Sequence, residues 1–162
     1  MVTDEWQMLT CVMNTNDDTV KVYVDGTFYA NTSGIADLNN NANHNMVIGY
    51  ALGYGQYFDG LIDEFYFYGD ALSDGMVEQL YNDGAGIFFE APVEPSVNYT
   101  WTDDLNTNLV TYWNFDEGSG TNVEDVFSGK YNLTVTGNNW AGGFSNNSYE
   151  PSGDEDSDTG FG

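Results

Sequence analysis

The chain has 162 residues, of which 26 are acidic and only Lys21 and Lys130 are basic, so its formal net charge is −24. A chain with this charge repels phosphate, which excludes nucleic acid and insertion into an anionic membrane surface from the expected partners. Hydrophobic residues make up 41% and aromatic residues 16% of the sequence, so we expect a folded protein with a sizeable core.

The first part of the chain predicts short β-strands separated by turns. Within residues 19–25, three valines alternate with Lys21 and Tyr23, as expected of a strand with two different faces. Asp25-Gly26 follows directly and is a strong hairpin signal. A polar, Asn-rich loop is predicted over 31–45 and a Gly- and Tyr-rich loop over 52–60. The predicted strands are 6–13, 19–25, 27–30, 46–50 and 61–68.

A short helix is predicted after the last of these strands. Ser73 is a suitable N-cap, and Met76, Val77 and Leu80 share one helical face. The helix is expected to end near the Asn-Asp-Gly sequence at 82–84.

The second part of the chain also predicts β-structure. Edge strands are expected at 87–89 and 97–101, with further strands at 109–115 and 131–136 and a turn at 117–120. From residue 146 the sequence is rich in Gly, Ser and acidic residues, which predicts a tail.

Cys11 is the only cysteine and lies in an apolar run, so no intrachain disulfide is possible and a buried, inert thiol is expected. The sequence contains no apolar run long enough to cross a membrane. Its first five residues are acidic where a signal peptide is basic, so an exported form of this chain is expected to be a mature form or an internal piece.

Two segments of the chain carry ordered sets of short motifs. The first begins at Trp6 and carries YVDG at 23–26, IG at 48–49, FDGLIDEF at 58–65 and ALS at 71–73. The second carries LVTYWNFDEGSG at 109–120, followed by a loop at 123–132 that has an Asp and then Ser-Gly-x-x-Asn. The first set resembles the closing part, and the second the opening strand and the loop after it, of the laminin G-like group of the concanavalin A-like lectin and glucanase superfamily. The resemblance implies an antiparallel β-sandwich or jelly roll.

The two segments stand in reverse order, because the family's closing part precedes its opening part and the middle strands are not recognisable. Three explanations fit: a window across two tandem domains, a circular permutant, or subunits that complete one another head to tail. The predicted divisions are residues 1–87 for the closing part, 88–108 for a linker or edge strand, 109–145 for the opening part and 146–162 for the acidic tail.

The resemblance implies a structural calcium ion bound by the side chains of Asp63 and Asp125. Carbonyl groups near Ser128, Lys130 and Asn132 would complete the shell, since calcium takes about 6–8 oxygen ligands. The alternative is that both aspartates are ordinary surface or turn residues.

A glycan-binding surface is suggested by Tyr54 and Tyr57, which stand with Tyr50 and Phe58 among glycines. The alternative for each ring is packing in the core or at an edge. Catalysis is not expected, because His44 is the only histidine and no strand carries alternating acids. N-glycosylation sequons occur at Asn31, Asn98, Asn132 and Asn146.

The sequence therefore leads to two main hypotheses. The first is a non-catalytic extracellular or cell-surface structural protein, a subunit or repeat that forms a homo-oligomer or polymer by head-to-tail strand exchange and is stabilised by calcium. The second is a carbohydrate-binding or adhesion module of a larger secreted protein. A hydrolase is a distant third.

Overall fold

The computed structural model of the chain describes residues 5–34, 46–51, 54–86, 101–136 and 139–151. The strands in these ranges are β1 Leu9–Asn14, β2 Thr19–Val24, β3 Thr27–Ser33, β4 Tyr50–Ala51, β5 Gln56–Tyr57, β6 Phe65–Tyr68, β7 Leu109–Trp113, β8 Asn122–Val123, β9 Leu133–Thr134, β10 Trp140–Gly142 and β11 Asn147–Tyr149. The helices are α1 Asp74–Tyr81, which a 3-10 turn Asn82–Gly84 follows, and α2 Asp103–Asn106. The all-β prediction is confirmed.

The described strands form one three-stranded sheet, β1-β2-β3, and four two-stranded sheets, β4-β5, β6-β7, β8-β9 and β10-β11. The chain divides into two compact units. Unit 1 comprises residues 1–41 and 66–110, and unit 2 comprises residues 42–65 and 111–162.

The three-stranded sheet of unit 1 is antiparallel and turns at the predicted Asp25-Gly26 hairpin. Both turn residues have positive φ, 51° and 70°, as a two-residue hairpin turn of type I′ requires. Gly26 is also needed for space, because a Cβ there would lie 2.9 Å from the Cβ of Tyr81. β3 extends through Ser33 and so takes the first residues of the predicted polar loop into the sheet.

One face of this sheet packs on α1. Tyr23 is buried with Val12 and Val77, and its hydroxyl donates a hydrogen bond to Asp74 at 2.6 Å. Lys21 lies on the same strand face and pairs with the same carboxylate at 3.1 Å. The Lys21 and Tyr23 side of the alternating strand therefore faces α1.

The prediction for Cys11 was wrong, because its side chain is exposed. β1 alternates, and Val12 is the residue that points into the cluster under α1. Cys11 and Met13 therefore point to the opposite face, which remains accessible in the described residues.

The predicted capped helix is confirmed. Ser73 has extended backbone geometry and accepts a hydrogen bond from the Met76 N–H at 3.3 Å, and Asn82 ends the helix in the left-handed conformation. Val77 and Leu80 are buried, and Leu80 packs against the fully buried Leu105. Leu105 belongs to α2, a short helix within the segment that the sequence placed in a linker.

The core of unit 2 is formed by Trp113, Phe115, Val123 and Tyr149. Residues including Ile62, Phe65 and Trp140 pack around these four side chains. Tyr149 belongs to β11, so the described residues 146–151 of the predicted tail are folded into this unit.

The predicted strand at 61–68 is interrupted at Glu64, whose φ of 53° is incompatible with a continuous strand. Only Phe65–Tyr68 forms β6, while Ile62 makes an isolated bridge to Tyr149. The predicted strands at 46–50 and 131–136 are likewise shortened, to Tyr50–Ala51 and Leu133–Thr134.

The predicted edge strand at 87–89 and most of that at 97–101 lie outside the described residues, as does His44. Among the helices in the described ranges, none has the length and hydropathy needed to span a bilayer.

Candidate functional site

Asp125 lies at the centre of a closed hydrogen-bonded loop in unit 2. Only 3% of the residue is exposed, and its carboxylate accepts six hydrogen bonds, three on each oxygen. The donors to Oδ1 are the backbone N–H groups of Tyr112, Phe127 and Ser128, and the donors to Oδ2 are the Ser128 hydroxyl and the N–H groups of Lys130 and Tyr131.

This environment is suited to an anion. Burial raises the pKa of Asp125, but the hydrogen bonds from Ser128 and the loop N–H groups outweigh it and hold the pKa well below its usual range. A metal ion needs oxygen lone pairs, whereas this loop directs N–H and O–H donors at the carboxylate. The donor set around Asp125 therefore does not fit a calcium ion.

The residues whose carbonyl groups were predicted as further ligands also contact Asp125, through other atoms. The Ser128 hydroxyl and the Lys130 N–H donate to its carboxylate, and the side-chain oxygen of Asn132 accepts from the Asp125 N–H at 3.1 Å. The calcium assignment of these residues stays a prediction.

Asp63 lies elsewhere in unit 2, beside the turn that precedes β11. Its carboxylate accepts hydrogen bonds from the N–H groups of Glu64, at 2.9 Å, and Ser145, at 3.1 Å. Burial, together with a smaller contribution from the negative charge of Asp116, raises the pKa of Asp63 to about 6 despite these hydrogen bonds. Asp63 and Asp125 thus have separate hydrogen-bond partners, and the structure does not join them around a common set of donors.

Asp116 was not singled out from the sequence, although it holds the same turn. Its side chain accepts hydrogen bonds from the Asn147 N–H and from the side-chain amides of Asn114 and Asn146. The predicted turn covers residues 117–120, so only the family-like opening segment at 109–120 contained Asp116.

Glu64, which neighbours Asp63, is linked through Tyr112 to the loop around Asp125. The Tyr112 hydroxyl donates to the Glu64 carboxylate, while the Tyr112 N–H donates to Asp125 at 3.3 Å. Asp63 and Glu64 do not lie on one continuous strand, since Glu64 has a left-handed backbone. Across the described ranges, no three His, Cys, Asp or Glu side chains form a group that could hold a metal ion.

The predicted ligand-binding tyrosines lie on a hairpin formed by β4 and β5, whose described residues 49–51 and 54–58 we call the aromatic hairpin. Tyr50 and Tyr57 are directly opposite in register, with ring centroids 4.6 Å apart. Tyr54 is 82% exposed at the turn, and Tyr57 and Phe58 are also exposed. The structure therefore brings the four predicted rings into one short element.

The base of the aromatic hairpin is closely packed. The Phe58 N–H donates to the Gly49 carbonyl at 2.8 Å, and a Cβ at Gly49 would lie 2.4 Å from the side chain of Pro151. Any side chain at position 49 would clash, so the glycine allows this close approach. The rings thus project from a base that is fixed to unit 2.

The structure also contains a shallow cavity of about 420 Å³ in unit 1, lined by residues such as Asp70, Leu72, Met76 and Asp104. None of the predicted site residues lines it. Among the sequons, Asn31, Asn132 and Asn146 are exposed, and Asn98 lies outside the described residues. The Asn146 amide nitrogen, the atom that would carry a glycan, already donates to Asp116 at 3.1 Å.

Residues 1–78 match the laminin G-like family model of the concanavalin A-like lectin/glucanases superfamily. No curated protein and no solved structure matches the chain. The matched region contains the first of the two family-like segments, which supports the superfamily assignment for that part. The reversed order of the two segments stays a prediction.

Proposed function

We propose that the chain is a non-catalytic, extracellular binding module that holds carbohydrate on the aromatic hairpin. The observation that carries the proposal is the pairing of Tyr50 and Tyr57 beside the exposed ring of Tyr54. The match of residues 1–78 to a lectin and glucanase superfamily is compatible with this function.

Exposed aromatic rings suit carbohydrate because the C–H face of a sugar packs on the ring while its hydroxyl groups remain hydrogen-bonded. The neighbouring Gln56 and Asp59 are exposed and offer an amide and a carboxylate to such hydroxyl groups. The fixed base of the hairpin reduces the loss of conformational entropy on binding.

The absence of catalysis is part of the proposal. Glycoside hydrolysis by the usual mechanism needs two carboxyl groups that face the scissile bond. The carboxylates of the partly buried Asp63 and the buried Asp125 both accept hydrogen bonds from the protein's own backbone, which supports structural roles for them.

A glycan array tests the binding function. We expect the wild-type chain to bind a restricted set of glycans and the Tyr54→Ala variant to lose that signal. Tyr29→Ala is the matched control, because Tyr29 is also highly exposed but lies on β3 in unit 1. Silence across a broad array with folded wild-type protein, or equal signals from Tyr54→Ala and the wild type, would contradict the proposal.

A second candidate function is a structural subunit of a fibre or surface assembly. It is favoured by the three-stranded sheet of unit 1, in which β1 and β3 form the two edges of the described strands. Light scattering with calcium and with a chelator tests this candidate, which requires large oligomers. A monomer in both conditions would exclude it.

A further inference from the structure

The chain has very few side chains that could bind an acidic sugar. Sulfate and carboxylate groups of ligands are commonly bound by Arg or Lys, because these residues direct charged N–H donors at the anion. The sequence contains no Arg and only two Lys. Lys21 lies in unit 1, where it pairs with Asp74, and Lys130 belongs to the loop around Asp125. The aromatic hairpin therefore has no cationic side chain of its own for an anionic ligand.

Two exposed carboxylates lie instead at the base of the aromatic hairpin. Asp59 is exposed and directly follows Phe58, whose exposed ring is one of the four predicted rings. Glu150 is also exposed and directly precedes Pro151, whose side chain lies against Gly49. Neither carboxylate forms an ion pair with a residue of the described ranges. The base of the hairpin therefore carries negative charge that no described cation neutralises.

The rings and the carboxylates together favour a sugar that is also a cation. The C–H face of a sugar packs on an aromatic ring whatever the charge of the sugar. A protonated amine on that sugar is attracted by Asp59 and Glu150, and a cation also interacts favourably with a ring face. A carboxylate or sulfate group is repelled by both residues and by the net charge of −24. The two kinds of charged glycan should therefore differ strongly in affinity.

We propose that the aromatic hairpin selects glycans with free amino groups and rejects acidic glycans. This inference rests on the proposed carbohydrate binding and names the class of sugar that the same site takes. Because exposed ion pairs are weak, we expect a free amine to strengthen binding about twofold to fivefold over the N-acetylated sugar. An acidic substituent should weaken binding, and salt should reduce both effects, since it screens exposed charges.

Three variants separate selection at the hairpin from a general attraction between an acidic protein and a cationic glycan. Tyr54→Ala removes an exposed ring and leaves the net charge unchanged. Asp59→Asn removes one charge beside the rings but keeps an oxygen acceptor for sugar hydroxyl groups. Glu124→Gln is the matched control for this loss of charge, because Glu124 is exposed in unit 2 but lies outside the aromatic hairpin.

A glycan array with matched probes tests the proposal. It carries trimers of glucosamine, N-acetylglucosamine and glucuronic acid with the same linkage, beside a broad set of neutral, sulfated and sialylated glycans. The array is read at slightly acidic pH, where the amines are charged, in low salt and in about 0.5 M NaCl. We expect the wild type to bind the glucosamine trimer most strongly of the three, the N-acetylglucosamine trimer less strongly and the glucuronic acid trimer not at all.

The glucosamine advantage should be smaller in Asp59→Asn and in high salt, unchanged in Glu124→Gln and absent in Tyr54→Ala. Equal signals from the two amino-sugar trimers, silence of the glucosamine trimer while other glycans bind, or an acidic glycan among those bound would overturn the proposal. So would a glucosamine advantage that persists in Tyr54→Ala or is unaffected by Asp59→Asn. Silence across the whole array would contradict the proposed carbohydrate binding itself. Circular dichroism checks that every variant is folded.

Discussion

Replacing Asp125 with asparagine is expected to destabilise unit 2 severely. The substitution keeps the shape of the side chain but converts one acceptor oxygen into an NH2 donor. With the NH2 group at the Oδ2 position, the backbone N–H groups of Lys130 and Tyr131 face another donor in a site that is only 3% exposed, whereas the Ser128 hydroxyl can rotate to accept. The negative charge that strengthened the remaining hydrogen bonds is also lost.

The magnitude follows from these lost interactions. A hydrogen bond to a charged group contributes about 1.5–3 kcal/mol, and an unsatisfied buried donor costs about 1–3 kcal/mol. The contributions of neighbouring hydrogen bonds are not additive, and single substitutions rarely exceed about 4–5 kcal/mol. We therefore expect Asp125→Asn to lower the free energy of unfolding by about 3–5 kcal/mol.

Urea denaturation followed by tryptophan fluorescence measures this change. Trp113 is a suitable reporter because it is buried and its indole N–H donates to the Tyr131 carbonyl in the same loop, at 2.8 Å. Asp59→Asn is the matched control in unit 2, because Asp59 is exposed, and we expect a change within about 0.5 kcal/mol.

The pH dependence provides an independent check. Because the folded-state pKa of Asp125 is lowered, its contribution is present above the unfolded pKa of about 3.9 and is lost as pH falls through the folded value. The difference in the free energy of unfolding between the wild type and Asp125→Asn should therefore become smaller in strong acid. A free energy of unfolding of Asp125→Asn within about 1 kcal/mol of the wild-type value at neutral pH would refute the reasoning.

Three further predictions follow from the described contacts. The pKa of Asp63 is raised to about 6, so its contribution to stability is present below about pH 4 and is lost as pH rises through 6. The free energy of unfolding of the wild type should therefore fall by up to about 3 kcal/mol more than that of Asp63→Asn between pH 4 and 7, as measured by urea unfolding of both proteins. Ser73→Ala should lower the free energy of unfolding by about 1 kcal/mol in the same urea assay, with no such loss from Ser119→Ala, because Ser73 caps α1 whereas Ser119 is exposed outside any helix or strand. Calcium and a chelator should give the same Tm in thermal melts, since Asp125 is already fully hydrogen-bonded; a calcium-dependent rise in Tm that Asp125→Asn abolishes would instead support the sequence-based calcium site.

Local sequence signals predicted the hairpin and the helix well. The Asp25-Gly26 turn and the Ser73 cap each depend on a few neighbouring residues whose backbone preferences are strong. Their geometry in the structure agrees with the expectation.

Features that depend on tertiary contacts were predicted less well. Glu64 lies in an apolar run that resembles a strand, yet its carboxylate accepts a hydrogen bond from Tyr112, 48 residues away, and its backbone is left-handed. The burial of Tyr149 in the core of unit 2 could not be predicted either, because Tyr149 lies in a Gly- and Asn-rich segment. Short-range periodicity carries no information about such distant partners.

The candidate site shows the same contrast between features set by local sequence and features set by tertiary contacts. The clustering of Tyr50, Tyr54 and Tyr57 was predictable, because these residues are close in sequence and flanked by glycines. The surroundings of Asp125 were not, since the direction of backbone N–H groups in a loop depends on its conformation. A carboxylate that resembles a metal ligand in sequence is thus the centre of a hydrogen-bonded loop in the structure.

Calorimetric titration of the strongest array glycan into the wild-type chain, Tyr54→Ala and Tyr29→Ala tests the central claim most directly. The account predicts saturable binding by the wild type and by Tyr29→Ala, and a loss of affinity of about tenfold or more in Tyr54→Ala, or about 1.4 kcal/mol. Equal affinities for all three proteins would contradict the assignment of the aromatic hairpin as the binding surface.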